Sequence, residues 1–149
     1  MAFNKTPQAN WSLGWHQDRT IAVACRESVS GFEVWSIKDG LTHVEPPFSL
    51  LERMITLRVH LDPVDGYNAP LLVAKGSHRL GKVAESAIQD VVDASVIGTC
   101  LAERGDGWLY ATPVLHDSAR STSERERRVI HLDFSRDRLP APLEWAGIG

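Results

Sequence analysis

Eight residues, Met54 to Leu61, alternate strictly between two kinds of side chain, and this segment limits the fold more than any other. Ile55, Leu57, Val59 and Leu61 fall on one face; Met54, Thr56, Arg58 and His60 fall on the other. Successive side chains of a strand point to opposite sides, so period two over this length predicts a strand whose two faces are used differently. The rest of the chain is cut into similarly short pieces. Thr20–Cys25 and Phe32–Ile37 are β-prone runs, punctuated by Ser30-Gly31 and Lys38-Asp39-Gly40. Pro70–Ala74 reads as a short apolar strand ended by Gly76-Ser77-His78. Thr99–Ala102 and Gly107–Thr112 read as two strands around the turn Arg104-Gly105-Asp106-Gly107, and Arg128–Phe134 as a final strand. His43–Pro47, broken by Pro46-Pro47, reads as a loop. Ser49–Arg53 reads as a helical turn and Val83–Val92 as one amphipathic helix. Many short strands with frequent turns predict a single mainly β domain over residues 1–149. The expected architecture is an antiparallel jelly roll or double-stranded β-helix, cupin-like, with one or two short helices. Such a barrel leaves a cavity between its sheets in which a small metal site can be buried.

Composition narrows the partners. A chain of 149 residues is enough for one domain with a real core. The net charge of −3 gives no reason to expect nucleic acid, which favours a basic patch. Arg120, Arg125, Arg127 and Arg128 cluster, but Glu124 and Glu126 are interleaved, as in a mixed-charge loop running into a strand. No apolar run is long enough to span a bilayer, and Met1–Asn10 is polar with no signal-peptide hydrophobic region, so the default location is cytoplasmic. Cys25 and Cys100, both in segments read as strands, are then expected to be reduced thiols; with no CxxC pair a structural zinc site is not expected.

The residues that carry chemistry are few. His16 and Asp18 stand two apart in Gly14-Trp15-His16-Gln17-Asp18, so on extended backbone they point to one side. His116 follows the apolar run Trp108–Leu115, with Ser118 two residues on and Arg127 eleven residues on. Two imidazoles and one carboxylate can occupy one face of an octahedral iron and leave positions open for a co-substrate and oxygen. An arginine placed after the second histidine is suited to hold the far carboxylate of a 2-oxo acid by a charge-assisted fork, with the Ser118 hydroxyl joining it. The pattern points to an iron(II)- and 2-oxoglutarate-dependent oxygenase. Parity alone leaves open which of Arg127 and Arg128 faces inward. His78 is read as structural, His60 as a weaker candidate for lining the cavity, and His43 and His131 carry no signal above a satisfied or exposed histidine. Met54, Thr56 and Arg58 share a face that can look into the cavity; Arg58 is there either a partner for an anionic substrate or half of a buried ion pair. Trp11 and Trp15, just before the first motif, are read as core anchors or as stacking surfaces for a substrate.

Taken in order, Trp15-His16-Gln17-Asp18, Leu57–Asp62, Asn68–Leu72, Gly76-Ser77-His78-Arg79-Leu80-Gly81, Gly105-Asp106-Gly107, and His116-Asp117-Ser118 with Arg127 resemble the phytanoyl-CoA dioxygenase family of 2-oxoglutarate oxygenases. The resemblance runs from about Ser12 to Phe134. It implies a double-stranded β-helix with iron(II) held by His16, Asp18 and His116, and 2-oxoglutarate held through Arg127 with help from Ser118. It implies hydroxylation of a small organic substrate, with 2-oxoglutarate and O2 converted to succinate and CO2. Asp18 speaks against halogenation, which needs that carboxylate position vacated. Two departures stand out. The chain begins about a dozen residues before the first motif, where family members carry a buttressing segment. A natural minimal version, a homodimer that supplies the cover, and a truncated product each account for this. Ala69 and Lys75 stand where Gly and Pro are common. Two alternatives to the oxygenase remain: a metal-binding β-barrel without turnover, and a cupin-like isomerase or hydrolase using the same ligands with another metal.

Overall fold

The computed structural model describes residues 2–147. Two four-stranded antiparallel sheets face each other. The first is built from β1 (Ala2–Lys5), β11 (Arg127–Phe134), β6 (Ile55–His60) and β9 (Gly107–Ala111), in that spatial order. The second is β2 (Leu13–His16), β10 (His116–Ser118), β7 (Leu71–Ala74) and β8 (Ile97–Cys100). A smaller sheet, β3 (Ile21–Val23), β5 (Leu41–Glu45) and β4 (Glu33–Lys38), extends one end. The helices are α1 (Phe48–Leu51) and α2 (Ile88–Asp93), with short 3-10 turns at Ser77–Leu80 and Glu85–Ala87. The fold is the expected mainly β barrel, and none of its helices is long and apolar enough to cross a membrane.

The alternation of the central strand decides what the barrel contains. Thr56, Arg58 and His60 of β6 are buried, while Ile55 and Leu61 are 45% and 38% exposed. The polar face points inward. On β11 the same parity buries Arg127, Val129 and His131, and β1 adds Lys5 opposite Arg127. The apolar cores lie outside the space between the sheets. Ile21, Val23, Val44 and Leu51 pack with Leu143 under the small sheet and α1, and Ala74, Val83, Val92 and Leu115 pack α2 onto the second sheet with Trp15. Burying cations between two sheets costs free energy unless they are neutralised. An interior of this composition is the signature of a binding cavity.

Five segments depart from the expected elements. His43–Pro47 is not a loop: residues 41–45 form β5, because pairing with both β3 and β4 outweighs the Pro46-Pro47 break that follows them. Val83–Val92 is not one helix; only Ile88–Asp93 is α-helical, and Ala84 is extended. Thr99–Ala102 and Gly107–Thr112 do not form a hairpin, since β8 pairs with β7 and β9 pairs with β6, in opposite sheets. Their turn is a crossover between layers, with Gly105 at φ +95° supplying the left-handed step. The polar N-terminal segment holds a strand, β1, whose register with β11 is set across more than a hundred residues. Cys25 lies exposed beyond β3, and both cysteines are free thiols.

Candidate metal centre

β2 and β10 run antiparallel with His16 directly opposite His116. That register sets the two imidazoles side by side, with ring centroids 4.2 Å apart. Asp18, two residues beyond β2, places its carboxylate between them: Oδ1 is 3.8 Å from His16 Nε2, and Oδ2 is 3.8 Å from His116 Nε2. One ligand atom from each residue lies within 4.8 Å of the other two.

Both rings have a defined tautomer. His16 Nδ1 donates to the Gly14 carbonyl at 2.7 Å, and His116 Nδ1 donates to the Val114 carbonyl at 2.9 Å. A carbonyl only accepts, so each Nδ1 carries a proton, and each Nε2, the ring atom aimed at Asp18, is the one available to a metal. Burial, opposed by Asp18 and aided by His16, holds the His116 pKa below the ordinary imidazole range and so keeps the ring neutral. Two imidazoles and a carboxylate converging on one point are the donor set of a divalent transition metal.

The surrounding motifs brace this arrangement. Gln17, between the two candidate ligands, is buried and bridges three backbones: its amide donates to the carbonyls of Gly81 and Pro113, and its oxygen accepts from Val83 N–H. Ser77 Oγ accepts from Leu115 N–H at 2.8 Å, which anchors the residue before His116. The Gly-Ser-His-Arg segment therefore positions the second histidine by its serine, and His78 sits on the 3-10 turn outside the triad.

At the other end of β10 and β11 is a cation pair. Arg127 is 1% exposed; its Nη1 donates to the Ala69 carbonyl at 2.6 Å, its Nη2 reaches Ser118 Oγ at 3.5 Å, and its Nε has no partner. Ala69 holds φ +50°, the conformation that explains why glycine is common there. Arg128 points out and grips Asp62 with both Nε and Nη2, which resolves the parity question. Lys5 was missed in the sequence: its ammonium donates to Ser118 Oγ at 3.0 Å and to the Ala119 carbonyl at 2.6 Å, and Trp11 stacks near it with the ring centroid 5.3 Å away. Nothing local marks Lys5; only its place opposite Arg127 in the sheet does. Burial, then Arg127 and Arg58, lowers the Lys5 pKa to about 8, and burial, then Arg58, lowers Arg127 to about 10. Two buried cations sharing one hydroxyl make a site for an anion.

His131 is the satisfied histidine expected of it, hydrogen-bonded to Asp133, and it also lies beside the cluster. Its Nε2 is 3.1 Å from Asp133 Oδ1 and 4.0 Å from Asp18 Oδ2. Burial pushes the Asp133 carboxyl up, but hydrogen bonds from His131 and Thr56 overcome it and hold the pKa below the usual carboxylate value. His60 is fully buried with neither ring nitrogen hydrogen-bonded, and burial, then Arg58 and Arg127, lowers its pKa to about 4. The folded pKa lies below the free value of 6.5, so between those values the unfolded chain holds the proton more readily. Stability is therefore expected to fall as the pH drops from 6.5 toward 4, by up to about 3 kcal/mol from this group. Urea midpoints at pH 7 and pH 4.5 check it, and His60→Leu should shrink the difference; an equal loss in that variant would place the acid sensitivity elsewhere.

Two four-stranded antiparallel sheets, with a His-Asp-His cluster at one end of the second, define a cupin-like barrel with a candidate metal site. The profile of the phytanoyl-CoA dioxygenase (PhyH) family matches residues 1–129, and the chain belongs to that family. Among solved structures it is similar to EctD from S. alaskensis in its apoform, with TM-score 0.63 and 22% identity over 95% of this chain and 45% of that one. It is similar to AviO1 from Streptomyces viridochromogenes Tue57, with TM-score 0.61 and 20% identity over 95% of this chain and 51% of that one. SnoK, a non-heme alpha ketoglutarate dependent carbocyclase from nogalamycin biosynthesis, matches with TM-score 0.56 and 16% identity over 87% of this chain and 45% of that one. EctD has also been solved with bound Fe. These likenesses show the fold, and the chain spans about half the length of these proteins or less. No curated protein matches it.

Proposed function

We propose that the chain is a non-haem iron(II)- and 2-oxoglutarate-dependent dioxygenase that hydroxylates a small organic substrate, with 2-oxoglutarate and O2 converted to succinate and CO2. The observation that carries this reading is the pairing, inside one barrel, of a two-imidazole, one-carboxylate cluster with two buried cations, Arg127 and Lys5, that converge on the Ser118 hydroxyl. His16, Asp18 and His116 would hold iron(II), which supplies oxygen activation and C–H oxidation when bound. Arg127, Lys5 and Ser118 bind the distal carboxylate of the co-substrate and set its direction toward the cluster. The Gly14 and Val114 carbonyls keep both imidazoles in the ligating tautomer. His131, braced by Asp133, stands beside Asp18 and limits the rotation of that carboxylate. Family membership and the description of SnoK as alpha ketoglutarate dependent support the reading.

A metal-binding barrel without turnover is the second reading. It is favoured by the openness of the cluster on one side, where the side chains of His16 and Asp18 are 27% and 34% exposed, because catalysis of this kind needs a dry pocket. Anaerobic addition of iron(II) and then 2-oxoglutarate separates folded sites from failed ones. A weak visible charge-transfer band is expected, followed by succinate formation once O2 and a substrate panel are admitted. A band without succinate would select the second reading, and a folded protein without a band would remove the first.

A further inference from the structure

The barrel holds a third buried cation that the distal-carboxylate site does not use. Arg58 is 5% exposed and its Nε has no hydrogen-bond partner. Among the described residues no carboxylate pairs with it, so the buried ion pair expected as one reading of its sequence position is absent. Its β6 position is flanked by His131 of β11 and Trp108 of β9. The guanidinium carbon lies 5.8 Å from the Phe3 ring centroid, and Phe3 in turn packs edge-on against His131. Tyr110, also on β9, has its ring 6.3 Å from that of His116; its buried hydroxyl makes no hydrogen bond of full geometry but lies within reach of Arg58, whose charge opposes the rise in pKa caused by burial. The Arg58 charge reaches widely through the cavity: after burial, it is the next cause lowering both His60 and Arg127. A lone guanidinium at this depth is costly unless an anion arrives to meet it.

From this geometry we propose that Arg58 and Tyr110 form a second carboxylate-binding point, facing the His16–Asp18–His116 cluster and separate from the one at Arg127 and Lys5. The Arg58 Nε–H and the hydroxyl of the neighbouring Tyr110 offer one donor each to the two oxygens of one carboxylate. The inference rests on the proposed function for its orientation toward the metal. The carboxylate comes either from the 2-oxo acid itself, whose second carboxylate is not used by Arg127, or from the organic substrate.

Protein loaded with manganese(II), which supports binding without turnover, tests it by calorimetry. The probes are 2-oxoglutarate and 4-oxobutanoate, which keeps the distal carboxylate and the carbonyl but lacks the second carboxylate. In Arg58→Met, an affinity loss of tenfold or more for 2-oxoglutarate with 4-oxobutanoate unchanged assigns the point to the 2-oxo acid; Tyr110→Phe should show a smaller loss of the same kind. If 2-oxoglutarate is unaffected, the manganese-induced relaxation of acetate protons is read with and without 2-oxoglutarate present. Its loss in Arg58→Met assigns the point to a substrate carboxylate. Neither change, in a folded variant, overturns the proposal. Arg127→Gln, which should weaken both oxo acids, tests the underlying reading separately: if it changes nothing while Arg58→Met does, the co-substrate assignment fails and the second point stands. Should the parent bind no 2-oxoglutarate, acetate alone decides, and absence of any Arg58-dependent relaxation overturns the proposal. Melting temperature excludes a merely structural role. A structural arginine would lower it when removed, whereas loss of an unneutralised buried cation leaves it unchanged or raised.

Discussion

Replacing Arg127 by glutamine is expected to weaken 2-oxoglutarate binding to the metal-loaded protein by about 100-fold, or about 2.8 kcal/mol. The residue is 1% exposed, so its interaction with a carboxylate is little screened, and the variant leaves Lys5 as the only cation on Ser118. Arg127→Lys should recover only part of the loss, because a point charge cannot reproduce the two-pronged geometry. The unliganded fold should not suffer in proportion. Arg127 gives up hydrogen bonds to the Ala69 carbonyl and the Ser118 hydroxyl, but its removal also takes away a charge that burial disfavours and that, after burial, is the next cause lowering the Lys5 pKa. Calorimetric titration alongside thermal melts separates the two effects. A melting temperature that collapses together with affinity would make Arg127 a structural residue, and unchanged affinity would move the co-substrate elsewhere.

Replacing His116 by alanine should cost at least about 100-fold in manganese(II) or iron(II) affinity, more than outer partners of metal ligands usually contribute. The ring is buried, neutral and held by Val114, so its Nε2 has no competing use in the fold. His78→Ala, outside the cluster, should leave metal affinity unchanged. His131→Gln should fall between them, since His131 touches Asp18 without belonging to the three-donor set. Metal titration followed by calorimetry or by the electron paramagnetic resonance of free manganese(II) reads all three. Equal affinities in parent and His116→Ala would show that the cluster is not the metal site.

Local periodicity and spacing carried much of this protein. Met54–Leu61 announced the central strand, because a strand exposes its two faces at consecutive residues. The His16–Asp18 spacing announced a shared direction for the same reason, and His116, Ser118 and Arg127 were legible as chemistry from residue type and order. Inwardness was not legible. Period two says which residues share a face but not which face meets the cavity, so Arg127 and Arg128 were equivalent until β11 was seated between β1 and β6. Lys5 and His131 were invisible for a related reason: each earns its place by a contact with residues more than a hundred positions away, Lys5 at Ser118 and His131 at Asp18. The turn at Gly105 was legible, but not its destination, because a turn looks alike whether the chain returns to its own sheet or leaves for the facing one. What the sequence by itself determined was the central strand, the mainly β character of the chain and the candidate donors for a metal. Only the tertiary structure decided which cations share the cavity with that cluster, because register between distant strands is settled by the packing of the whole barrel and not by any segment of it.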